Sequence, residues 1–143
     1  MEEILESEIK EAIDRWTKIN KENASLAIEE LSQYRECIRA KKTLHNRDDV
    51  NYVGHFYYNL AYAKHYEDEE RAVSILEEGR EWYKNVRCNY FKPFGCIYRE
   101  LFFHYADTWR EAKAEEVARE GVYLEFSSIS SSVQYENLEL YSF

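Results

Sequence analysis

Glu100 and His104 are spaced for chemistry: at i and i+4 on a helix they bring a carboxylate and an imidazole to one face, as paired metal ligands require. A di-iron bundle needs four carboxylates and a second Glu-x-x-His unit, and the sequence has neither. The pair therefore reads as polar surface. Cys96 and His104 lie two helical turns apart, roughly 12 Å of rise, too far for a nucleophile and its base. There is no Gly-rich phosphate loop, no GxSxG and no HExxH. The chain reads as a non-enzyme with no catalytic residue, no metal site and no cofactor.

A second cluster is basic: Arg35, Arg39, Lys41, Lys42 and Arg47. It suits a small anion or an acidic peptide, but cations near a helix C-terminus also simply complement the dipole. Net charge is −9 over 143 residues. That argues against nucleic acid as the main partner, since duplex binding displaces counterions with a basic surface. It suits a basic protein or peptide, drawn in at long range, and it also serves solubility. Cys37, Cys88 and Cys96 are odd in number and lack CxxC spacing, which points to a reducing compartment. No apolar run approaches the roughly 20 residues of a membrane span. Met1-Glu2-Glu3 lacks the basic start of a signal peptide, so a cytoplasmic location and no membrane partner are expected.

Helices must position these residues. One proline and four glycines among many Glu, Lys, Ala and Leu favour helices joined by short turns, in one domain of ordinary size. Ile9, Ala12, Ile13, Trp16 and Ile19 predict a first helix over 3–20. Asn23 is the expected cap of a second, whose stripe Ala24, Ala27, Ile28, Leu31, Tyr34 and Ile38 ends near Leu44. Asp48 or Asp49 is expected to cap a third helix over 50–66, and Asp68 a fourth over 69–87. Residues 85–92 read as a loop, and Pro93 opens a fifth helix carrying Ile97, Tyr98, Leu101, Phe102 and Tyr105. Thr108-Trp-Arg-Glu111 has the form of a capping box for a sixth, running to about Phe126. Residues 127–132, all Ser but Ile129, predict a flexible linker, and 133–143 a short irregular C-terminal tail. The expectation is all-α: about six helices in three antiparallel pairs over 1–126, then the linker and tail over 127–143.

Two of these pairs repeat each other. Tyr57, Leu60, Ala72, Leu76, Glu78 and Gly79 match Tyr98, Leu101, Ala114, Ala118, Glu120 and Gly121, the first two offset by 41 positions and the rest by 42. Such repetition marks stacked helical hairpins. Over residues 50–126 the large-aromatic, Leu and small-residue slots resemble those of the tetratricopeptide repeat (TPR) family. The spacing is longer than that family's 34 residues, the closing proline is absent, and Phe102 and Lys64 depart from the pattern. The resemblance implies a right-handed stack, with a compact bundle as the alternative. It also implies a groove along the first helix of each hairpin, lined by His55, Tyr58, Tyr62, His65 and Tyr66, then by Cys96, Arg99 and Phe103.

Helical geometry points to the same place. At 100° per residue, Val53, Phe56, Tyr57 and Leu60 form one face of the third helix, while Tyr52, His55, Asn59, Tyr62 and Tyr66 form another. The second aromatic face either lies under neighbouring helices or binds a partner, for which Tyr is well suited. Glu67, Asp68, Glu69 and Glu70 follow it and would supply charge at the rim. The expected partner-binding set is thus His55, Tyr58, Tyr62, His65, Tyr66, Glu67, Asp68, Glu69, Glu70, Arg99 and Phe103. Two functions fit: a protein-binding module docking a peptide or protein segment, or a small acidic immunity or antitoxin-type inhibitor of a basic bacterial toxin such as a nuclease.

Overall fold

A computed structural model describes residues 3–86, 88 and 90–136, with side chains to residue 127. The described chain is all-helical: α1 (Ser7–Arg15), α2 (Ala24–Ser32), α3 (Arg35–Arg39), α4 (Arg47–Lys64), α5 (Glu69–Val86), α6 (Gly95–Asp107) and α7 (Glu111–Glu136). A 3-10 turn over Lys92–Phe94, with Pro93 in its first turn, leads into α6. No strand occurs among the described residues, and no helix there is long and apolar enough to cross a membrane.

α4 and α5 form one hairpin, α6 and α7 a second, and α5 packs on α6. α1 and α2 lie on α4 more than on each other, so the expected N-terminal pair is two helices laid on a hairpin. At both hairpin crossings an aromatic ring covers a glycine. A Cβ on Gly79 would lie 3.0 Å from the Tyr57 Cβ, and one on Gly121 would lie 3.2 Å from the Tyr98 Cδ2. Leu60, Ala72, Leu76, Leu101 and Ala114 are buried around these crossings, as their spacing predicts.

The ends of the helices differ from expectation for tertiary reasons. The predicted first helix shrinks because residues 3–6 run as an extended strap. Buried Leu5 donates its N–H to Asp49 Oδ2 (3.1 Å), and Glu3 Oε1 accepts from the Thr43 N–H (2.9 Å). Asp49 is thereby taken as an anchor, with Lys10 Nζ at 2.6 Å, and Asn46 caps α4 by accepting from the Asp48 and Asp49 N–H groups. Asn23 does not cap α2 with its side chain: its Oδ1 accepts from the Asn20 N–H (2.8 Å), and the Asn20 side chain returns the bond (2.9 Å). The expected second helix breaks at Gln33–Tyr34. The turn lets the Ile38 carbonyl accept from Trp82 Nε1 (3.1 Å) and lets Arg35 reach Glu78.

Asp68 caps α5 as expected, accepting from the Glu70 N–H (3.0 Å). The Thr108 capping box does not form. Thr108 Oγ1 donates back to the His104 carbonyl (2.8 Å), and Arg110 N–H to Tyr105 and Trp109 N–H to Ala106 close α6 in a Schellman motif. Trp109 holds the left-handed position of that motif, at φ 62°. Finally, α7 carries helix through residues 127–132, where composition predicts a flexible tract. The tail residues Leu138, Leu140 and Tyr141 lie outside the described residues.

Candidate partner-binding groove

Four sequence-predicted residues, Tyr58, Tyr62, His65 and Glu69, line one cavity of about 190 Å³ between α4, α5 and α6. Ala61, Ala72 and Leu76 share its wall, and Glu100 stands across from the α4 aromatics. Alanines supply the space: two methyl side chains where α4 faces α5 leave room that longer residues would fill. Spacing by four places Tyr58, Tyr62 and Tyr66 in a row along α4. Tyr58 and Tyr62 stack at 6.3 Å, Tyr62 and Tyr66 meet edge-on at 5.8 Å, and His65 lies 4.2 Å from the Tyr66 ring. Tyr62 is 41% exposed and Tyr66 37%, whereas Val53, Phe56, Tyr57 and Leu60 on the opposite face are fully buried. The second aromatic face of α4 is thus open at its C-terminal end, while Tyr52 at the other end is half-buried and donates to Asp14 of α1 (2.9 Å). Burial first, then the Glu100 carboxylate, raise the Tyr58 phenol above its ordinary value, which keeps it a hydrogen-bond donor.

The remaining predicted residues fall around this cavity without lining it. Phe103, on α6, is half exposed, and Arg99 and His55 are exposed. Glu67, Asp68, Glu69 and Glu70 are all exposed at the α4–α5 turn, but they are not equivalent. Asp68 is held as the α5 cap. Glu70 receives Arg110 Nη2 at 3.1 Å and faces His104 Nε2 at 3.5 Å. Glu69 lies between His65 and His104, 3.8 Å from a ring nitrogen of each.

His104 therefore does not pair with Glu100 on the surface. It is largely buried and turned toward the start of α5. The i, i+4 spacing is met by the backbone, but the imidazole lies 3.1 Å from Arg110 Nη2 and faces the α5 carboxylates, which only the tertiary fold reveals. Ala72, Leu76 and Glu100 are legible in the sequence as small, core or surface positions, yet nothing local marks them, or Ala61, as groove wall. Among the described residues no group of three His, Cys, Asp or Glu is placed to hold a metal ion. Cys37, Cys88 and Cys96 are free thiols, and burial raises Cys37 and Cys88 above the ordinary thiol value, away from the reactive thiolate.

The basic cluster is mostly consumed inside the fold. Arg35 donates two bonds to Glu78 Oε1 (3.1 and 2.7 Å), and Arg39 lies 2.9 Å from Glu36. Lys41 reaches Glu6 at 2.5 Å, and the Arg47 guanidinium sits 4.6 Å from the Tyr90 ring centroid. Beside them a cleft of about 360 Å³ between α3 and α5 holds Arg39 and Lys42, but also Glu36, Glu78 and Glu81. Carboxylates outnumber cations around it, so it does not favour an anion.

Comparison with protein-family models, with curated proteins and with solved structures finds no match to this chain.

Proposed function

We propose that this chain is a non-enzymatic protein-binding module that docks a basic protein or peptide segment in the groove between α4, α5 and α6. The observation that carries the reading is convergence: residues chosen by helical spacing and by the TPR-like pattern meet at one cavity, with open tyrosines on one side and carboxylates at its mouth. Tyr62 and Tyr66 provide rigid apolar area with a polar tip. Glu67 and Glu69 add negative potential at the rim, where it steers encounter more than it strengthens the complex. The Tyr57–Gly79 and Tyr98–Gly121 crossings support the TPR-like reading, since small residues there allow close helix approach.

The test is surface plasmon resonance at two salt concentrations, with the chain immobilised and Lys/Arg-rich peptides carrying leucines as probes. Tyr62→Ala is expected to weaken binding by about 2 kcal/mol or more, mainly through faster dissociation. Glu67→Gln with Glu69→Gln, which spares the Asp68 cap, is expected to slow association and flatten its salt dependence. A folded Tyr62→Ala with both rates unchanged removes the groove as the docking site. Tight one-to-one capture of a single basic toxin, with no peptide affinity, moves the function to the inhibitor class.

A further inference from the structure

The outer face of α7 exposes a block of large apolar side chains. Val122, Tyr123 and Phe126 are 68%, 70% and 71% exposed, and with Ala118 and Arg119 they border a shallow apolar depression. The internal repeat makes the exposure informative. Val122 stands where Arg80 stands in α5, 42 positions earlier. Arg80 is only 7% exposed because α7 covers it, whereas no described element covers Val122. In stacked hairpins that face is the one each unit buries against its neighbour.

Length and charge supply two independent observations. The 26 residues of α7 span roughly 39 Å, against roughly 20 Å for the 13 of α6 that it packs on. The C-terminal part of α7 thus runs past its partner helix. A helical extension of this length, rich in Ser, is not stable in water without a packed face. Ala118, Val122 and Phe126 follow one another at intervals of four residues, which puts them on one face of α7. Residues 126–135 also hold no charged side chain, in a chain that is one-third charged. A basic partner finds nothing to pair with there. A second copy, repelled by a net charge of −9 elsewhere, can approach along this stretch.

We propose that two copies of this chain pair through α7, face to face along the Ala118–Val122–Phe126 stripe. The interface shares no residue with the α4–α6 groove, so it stands or falls independently of the proposed function.

Sedimentation equilibrium of the full chain over a concentration series, at low and high salt, tests this. The expected mass rises with concentration to twice that of one chain. High salt strengthens association, because it screens repulsion while leaving apolar burial intact. Phe126→Glu and Val122→Glu, both at exposed positions, are each expected to weaken association roughly 100-fold or more without lowering the melting temperature of the dilute protein. Site-resolved acetylation should find Tyr123 protected in the wild type at high concentration and reactive in Phe126→Glu. A one-chain mass at every concentration overturns the proposal. If Tyr123 is shielded in that monomer, the face belongs to the chain's own C-terminal residues. A dimer that survives both substitutions overturns it equally.

Discussion

In the α4/α5 hairpin Tyr57 lies across Gly79, and the neighbouring Glu78 accepts from Arg35 of α3. In the α6/α7 hairpin Tyr98 lies across Gly121, and Glu120 accepts from Arg80 of α5 at 2.8 Å. The same Tyr, Glu and Gly, with one residue more between the Tyr and the Glu-Gly pair in the second copy, build both crossings, each locked by an arginine from the element stacked before it. What differs is the outside. The first hairpin is sandwiched, with α1 to α3 on one side and α6/α7 on the other; the second has a described neighbour on one side only. The shared pattern is core in both copies, but the position after the glycine is covered in the first, at Arg80, and exposed in the second, at Val122, so burial there follows from neighbours.

The arginine locks also differ in depth. The Arg80 side chain is 9% exposed and its Glu120 partner 17%, whereas Arg35 is 35% exposed. Removing one partner of a buried pair strands the other charge. Glu120→Gln is expected to cost about 1–3 kcal/mol, since Glu77 remains beside Arg80 as a partial substitute. Glu78→Gln should cost less, because water reaches Arg35. Chemical denaturation of both variants decides the order, and equal losses would mean the two locks are equivalent. The pH dependence has a definite sign. Burial works to raise the Glu120 carboxyl, but Arg80 outweighs it, and the net shift is downward. A depressed folded-state pKa gives stability that is present above the unfolded carboxylate value. That stability is lost as pH falls through the folded value. Glu120→Gln should flatten the acid limb of the stability curve.

The glycines refine the comparison at smaller amplitude. A Cβ on Gly79 meets Tyr57 Cβ and Cγ at 3.0 Å and Ile97 Cδ1 at 3.1 Å, inside a packed sandwich. A Cβ on Gly121 meets the Tyr98 ring, at 3.2 Å or beyond, in a hairpin with one side open. Gly79→Ala is expected to destabilise by about 1–2 kcal/mol, overpacking exceeding the gain in helix propensity. Gly121→Ala should fall within about 0.5 kcal/mol of neutral, because ring motion offsets most of the clash. Thermal melts of the two variants suffice. A larger loss at Gly121 would show that the second hairpin is the tighter of the two.

Helix number and the buried stripe were largely legible because they are periodic, and period is a property of the sequence itself. The aromatic face of α4 was legible for the same reason. The missed features depend on partners distant in the chain. Asn46, Asp48 and Asp49 are all competent caps within four positions. Asp49 is withdrawn by Lys10 and Leu5, some 40 residues away, which no local pattern records. The break at Gln33–Tyr34 carries no Gly or Pro; it follows from Trp82 and Glu78 on α5. Thr108 reads equally well as the end of one helix or the start of the next.

That last ambiguity leaves a residue where local physics is violated. Trp109 occupies the left-handed position of the Schellman motif, at φ 62°, and is 85% exposed. Glycine is the ordinary occupant, because a Cβ there costs about 1 kcal/mol, and for a bulky residue the strain is genuine. Trp109 buries almost nothing in return. Its indole stands at the turn that also holds Arg110, the partner of Glu70 at the groove's acidic rim. Trp109→Gly is therefore expected to leave the fold intact and to raise stability slightly, by up to about 1 kcal/mol, less the entropy that glycine adds to the unfolded chain. The measurement pairs that melt with peptide binding by the same variant. A gain in stability with unchanged binding makes the strain incidental. A gain in stability with faster dissociation assigns the exposed indole to the binding surface, extending it from the α4 tyrosines around the end of the second hairpin. A loss of stability would mean that the indole packs on its surroundings more than its exposure indicates, and that the turn is held by the ring despite its backbone.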